Sequence, residues 1–211
     1  MVPFYAQTNF SLSPDKLAAV LQQSERAAVE SLRGYGFEVM GPADFRERLE
    51  HADAATLFDD GIVLHAGLST YFEPAKSSNG PSLEVATLTR LNQEGALGVD
   101  VLLFGEVVYY TETLCNTDPN TAKSREAPRT STTSTPCVVS HFQAKLVYVS
   151  TGETMWFNRA FLETYPPPAT PDAGAATITQ TVARTFDGPD GLADFHLPDP
   201  VPTPDARVAA E

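Results

Sequence analysis

The chain has 211 residues, a formal charge of −13 and an isoelectric point near 4.6. That balance excludes the concentrated Lys and Arg with which proteins grip nucleic-acid backbones or anionic lipid, and a 42% hydrophobic content with 12 Phe and 7 Tyr excludes a disordered chain. No apolar run reaches the roughly 18 residues that a spanning helix needs, so no transmembrane span is expected.

Val2 to Thr8 reads as a first strand. Ser13 is placed to cap a helix, Pro14 suits its first position, and Asp15 complements the positive helix end. Leu17, Leu21, Ala28 and Leu32 make an apolar stripe, widened by Val20 and Val29, and Gly34 and Gly36 end the helix. Phe37 to Met40 is a short strand. After Gly41-Pro42 a second helix runs from about Ala43 to Ala52, with Phe45 and Leu49 inward. Residues 53–81 form a short helix or an irregular apolar flap. A third helix opens at Pro81 or Ser82, with Val85, Leu88, Leu91 and Leu97 inward.

Gly98 breaks that helix. Val99 to Tyr110 is nearly continuous in apolar residues, the mark of a strand covered on both faces. Residues 116–136 are dominated by Ser and Thr, so they form an inserted loop that projects from the sheet. Val138 to Val149 returns, with Gln143 and Lys145 on a wetter face, and after a tight turn at Ser150 to Glu153 a third strand of the meander covers Thr154 to Thr164. Pro171-Asp172 opens a last helix in which Ile178, Val182 and Phe186 fall at i, i+4 and i+8. The whole is an α/β (α+β) fold: a mixed sheet of about five strands with a C-terminal antiparallel meander, packed by three to four helices. Residues 1–186 make a single domain. Residues 187–211 are an acidic, Pro-rich tail, read as largely extended or disordered, in which Leu192, Phe195 and Leu197 dock locally.

Cys115 ends one strand and Cys137 begins the next. If the strands pair, the two sulfurs meet at the mouth of the loop, where a disulfide contributes roughly 3 kcal/mol on the loop-entropy model. The alternative is two unrelated free thiols. A bridge implies an oxidising compartment, the periplasm or the exterior. Met1-Val2-Pro3-Phe4 leads straight into a strand-like segment with no basic n-region, so no signal peptide is expected within the sequence. Either Met1 is the true start, or a signal or lipid anchor lay upstream of it.

Chemistry is sparse. His51, His65, His141 and His196 lie far apart with no ligand at zinc-like spacing, and Asp59-Asp60 with Glu73 reads as solvated acid rather than a cation site. No nucleophile elbow, P-loop or dinucleotide fingerprint occurs, so neither metal nor cofactor is expected and no catalytic residue is assigned. The alternative is a hydrolase whose site is assembled from distant residues. Trp156, Phe157 and Phe161 offer an aromatic binding strip, but alternate positions face opposite sides of the strand, so Trp156 is expected in the core with Phe157 on the other side. Tyr109 and Tyr110 point one in and one out. The outward tyrosine, Thr113, His141 and the 116–136 loop form the candidate partner surface.

Two segments carry a family resemblance: Ala96-Leu97-Gly98-Val99-Asp100-Val101-Leu102-Leu103-Phe104-Gly105-Glu106-Val107, and Ala144-Lys145-Leu146-Val147-Tyr148-Val149-Ser150-Thr151-Gly152-Glu153-Thr154-Met155-Trp156. They resemble bacterial envelope proteins related to the TolB amino-terminal domain, the curli-secretion lipoprotein CsgG and the penicillin-binding-protein activator LpoB. The sequence departs from that pattern at Tyr148, where an Asp is common, and in its long 116–136 excursion. The resemblance implies a non-catalytic periplasmic or outer-membrane-associated module. Its partner would be another envelope protein or cell-wall material, or further copies of itself in a secretion or surface assembly.

Overall fold

The computed structural model of the chain describes residues 1–6, 12–52, 90, 92–116, 134–149, 154–165, 172–193 and 195. Helix α1 spans Pro14–Gly34. Its N-cap is Ser13, whose hydroxyl accepts from the Lys16 N–H at 3.4 Å, with Pro14 and Asp15 in the first turn. Its C-terminus closes through Gly36 at φ +86°: the Phe37 N–H reaches the Leu32 carbonyl at 3.1 Å and the Gly36 N–H reaches that of Arg33 at 3.0 Å. Those two bonds satisfy carbonyls the helix would otherwise leave open, and the left-handed turn between them suits glycine. Helix α2 spans Pro42–His51 and turns Phe45 and Leu49 fully inward.

The sheet is mixed and four-stranded, in the order β1-β2-β3-β4. β1 (Tyr5–Ala6) runs parallel to β2 (Val101–Asn116), with Tyr5 beside Glu106. β2, β3 (Ser134–Tyr148) and β4 (Thr154–Thr164) form the antiparallel meander. The expected fold class holds, with four strands rather than about five. The missing one is Phe37 to Met40, which enters no ladder among the described residues. Its side chains are used in packing instead: Phe37 and Val39 lie against the core, and the Met40 carbonyl accepts from the Met1 amino group at 2.7 Å. The expected first strand is also shorter in its ladder, although the Val2 N–H extends the contact by bonding the Leu103 carbonyl at 3.1 Å.

Helix α3 (Ala173–Asp187) packs with α1 on one face of the sheet, here the helix face. Ile178, Val182 and Phe186 are all fully buried there, with Leu103, Val107, Phe142, Leu146 and Trp156. Beside them runs a stripe of Thr177, Thr181 and Thr185, each donating to the carbonyl four residues back at 2.8–3.0 Å. That back-bonding lets hydroxyls sit in the interface without an unmet donor, and Thr181 also bonds Ser140 on β3. The opposite, second face carries a smaller cluster in which Phe45, Leu49 and Leu97 cover Leu102, Phe104 and Val147.

The chain stays attached after α3. Leu192 is 2% exposed within the main core, and the Trp156 indole stacks on Phe186 and donates to the Asp190 carbonyl at 2.8 Å. Phe195 lies against Phe37, ring to ring at 6.4 Å. Gln7 and Thr8, the 53–81 segment with Asp59, Asp60, His65 and Glu73, most of the helix expected from Pro81, the loop interior, the Ser150 to Glu153 turn, His196 and Leu197 lie outside the described residues.

Candidate functional site

The distal half of the β2–β3 hairpin is held by a disulfide between Cys115 and Cys137, whose Cα atoms are 5.7 Å apart. The ladder explains why they meet. Thr113 stands directly opposite Cys137, and Cys115 lies one step further along the same face. The Glu163 carboxylate lies within 4.8 Å of both sulfurs. Because the sulfurs are bonded to each other they offer no thiolate, so this group has the wrong chemistry for a metal.

A single extra residue decides which tyrosine faces out. Val107 pairs with Phe142, but Tyr109 pairs with His141, so Val108 is a β-bulge. Strict alternation from buried Val107 would put Tyr109 inside; the bulge reverses the parity. Tyr109 is therefore 48% exposed on the second face, and Tyr110 is 4% exposed on the helix face. One tyrosine faces in and one out, as expected, and the structure decides which: Tyr110 leaves the candidate surface, while Tyr109, Thr113 and His141 share one face.

That face carries a feature the sequence reading did not assemble. Tyr109, His141 and Phe161 are direct cross-strand neighbours on β2, β3 and β4, forming an aromatic row across the sheet. Phe161 is 59% exposed and sits between exposed Arg159 and Glu163 on the same side of β4. His141 is half-buried, and burial, then the Arg159 charge, pull it below the usual imidazole range against a weaker pull from Glu106. It is thus kept toward the neutral form, which suits contact with aromatic neighbours. Tyr165, 48% exposed, donates its hydroxyl to Glu163, and that bond holds the phenol proton more tightly than usual.

Tyr110 has a structural post instead. Its hydroxyl donates to Glu112 Oε1 at 2.7 Å, and Lys16 Nζ donates to Glu112 Oε2 at 2.5 Å, tying α1 to β2. Burial raises the Tyr110 phenol, and the Glu112 bond raises it further. Burial works to raise Glu112, but the bonds from Lys16 and Tyr110 prevail and leave it below its ordinary value. These residues line a cleft of about 990 Å³ between the α1 and α3 N-termini and the hairpin.

A second polar group is buried deeper, on the second face. Glu106 is fully buried; Gln143 donates to its Oε2, the Tyr5 phenol lies beside it, and its Oε1 has no hydrogen-bond partner among the described residues. Lys145, directly opposite Phe104, holds its ammonium 5.0 Å from the Phe104 ring centroid. Trp156 is in the core, as expected, and His51 is on α2, where its Nδ1 lies 2.7 Å from the Glu47 carbonyl. Within the described residues no helix is long and apolar enough to cross a membrane.

No protein-family model matches this chain, and no curated protein matches it in sequence. Among solved structures it is similar to the lipoprotein GNA1162 from Neisseria meningitidis, at 12% identity and a TM-score of 0.46 over 87% of this chain and 93% of that one.

Proposed function

We propose that this chain is a non-catalytic module of the bacterial cell envelope that binds another protein, in the periplasm or at the outer membrane. The observation that carries the reading is the pinned hairpin: a disulfide between Cys115 and Cys137 on the sheet face that exposes the Tyr109 and Phe161 rings. Native disulfides belong to oxidising compartments, and clustered exposed aromatics are the side chains that protein interfaces favour. The segments that resemble TolB-, CsgG- and LpoB-related proteins point the same way. Envelope attachment through a lipid anchor belongs to the same proposal.

Two measurements test it. Alkylating free thiols in intact cells of the source organism is expected to leave Cys115 and Cys137 unmodified until a reductant is added. Full alkylation without reductant would remove the oxidising compartment and the reading with it. A photo-crosslinking side chain at position 109 is expected to trap a discrete protein adduct, and one at exposed Arg33 on α1 is not. No adduct at 109 would end the claim that this face binds a protein.

A further inference from the structure

We propose that a second copy of this chain pairs with the outer edge of β4, antiparallel and centred on Phe161, so that two sheets join into one. β4 is the last strand in the sheet order and is 11 residues long. Among the described residues no strand lies beyond it. An edge of that length presents a row of N–H and C=O groups to any strand that can match its side chains; the Arg159 N–H bonds the Asn158 side chain at 2.8 Å and would exchange that bond for one to the partner.

The side chains of β4 match β4 itself. On the second face Arg159, Phe161 and Glu163 are exposed in succession. A two-fold axis through Phe161 sets that ring against the partner's Phe161. It sets Arg159 against the partner's Glu163, and Glu163 against the partner's Arg159. Opposite charges directly across a strand pair stabilise it, and like charges oppose it. The choice of axis is therefore discriminating. An axis through Arg159 or through Glu163 opposes like charges, and one through Ala160 or Leu162 sets a charge against Phe161. On the helix face the Phe161 axis sets Ala160 against the partner's Leu162. Such self-complementarity is what a closed two-fold interface requires.

The aromatic row supports the same axis. Tyr109, His141 and Phe161 cross the sheet in one line that stops at the β4 edge. The two-fold continues it through the partner's Phe161, His141 and Tyr109, giving a six-membered row across one joined sheet. The Glu163 carboxylate is bonded by Tyr165 and lies beside the disulfide, so pairing with the partner's Arg159 requires it to turn outward. This inference deepens the binding reading above by naming a copy of the chain as a partner. Its failure would leave the compartment, tested by thiol trapping, untouched.

The test is sedimentation equilibrium on the oxidised full chain over a wide concentration range. A dimer is expected. Arg159→Glu and Glu163→Arg each create two like-charge pairs across the axis, and each is expected to weaken the dimer about tenfold. Mixing the two single variants restores complementarity, so a heterodimer forms; the Arg159→Glu/Glu163→Arg double variant recovers the homodimer. Phe161→Cys is expected to form an intermolecular disulfide between the two copies of position 161, because directly opposed residues have Cα atoms about 4.5–5.5 Å apart. Ala160→Cys, which the register sets against Leu162, is not. A monomer throughout the range would overturn the proposal. So would a dimer that neither charge reversal weakens.

Discussion

Lys145 is a cation held in a buried place. It sits on β3 at 2% exposure, and burial pulls its ammonium down from 10.5 to about 7. Between those two values the unfolded chain binds a proton that the folded chain does not, so stability rises with pH across the window. Tyr5 and Tyr110, both raised by burial, hold protons longer in the folded state and act in the opposite direction only above the ordinary phenol range. The expected result is a urea midpoint that climbs from about pH 7 to about pH 9.5, and a flatter profile in Lys145→Met. An unchanged slope in that variant would show that the folded-state Lys145 keeps its ordinary proton affinity. From sequence, Lys145 read as a residue of the wetter face. Alternation identifies its face, but nothing local says what covers that face.

At the scale of elements, periodic and capping signals translated directly. Ser13, Pro14 and Gly36 bound α1 because each satisfies or tolerates a backbone demand that the residue's own chemistry announces. The Ile178, Val182 and Phe186 series marked the buried side of α3 for the same reason. Two features were not legible. The bulge at Val108 has no sequence signature, yet it settles which tyrosine is outside and so which residues form the surface. Phe161 was visible as an aromatic on a strand, but its alignment with Tyr109 and His141 depends on register, which long-range pairing sets. Register also explains Gly105. It pairs with Ala144, and the Phe4 ring lies so close that a Cβ at 105 would overlap it. Phe4 is itself held against Phe142, with ring centroids 5.4 Å apart, so it has little room to yield. Gly105→Ala is therefore expected to destabilise by about 1–3 kcal/mol in chemical denaturation. Gly34→Ala, where none of the described residues comes within 4 Å of the added carbon, should be neutral or slightly stabilising. Equal effects at the two sites would refute the claim that the Phe4 contact demands glycine.

The molecule as a whole is closed by the segment that follows its last helix. Composition marked everything from Asp187 onward as tail, because Pro, Gly and acid prevail there and three isolated apolar residues make no periodic pattern. The packing is tertiary. Tyr35 donates to Asp187 Oδ1 at 2.8 Å, the Trp156 indole N–H is satisfied through the Asp190 carbonyl, and Leu192 fills the end of the main core. Phe195 then covers Phe37. Two shortened chains isolate this contribution, one ending after Phe195 and the other after Asp187; both lack residues 196–211, so their difference reports on Gly188 to Phe195 alone. Losing Leu192 from the core costs about 1.5–3 kcal/mol, and stranding a buried indole donor costs about 1–3 kcal/mol more. The chain ending at Asp187 is thus expected to be less stable by about 3 kcal/mol or more, and Trp156→Phe, which removes the donor, should narrow the gap between the two chains. If the two unfold at the same denaturant concentration, α3 ends the domain, and the contacts of Leu192 and Phe195 contribute nothing to holding it together.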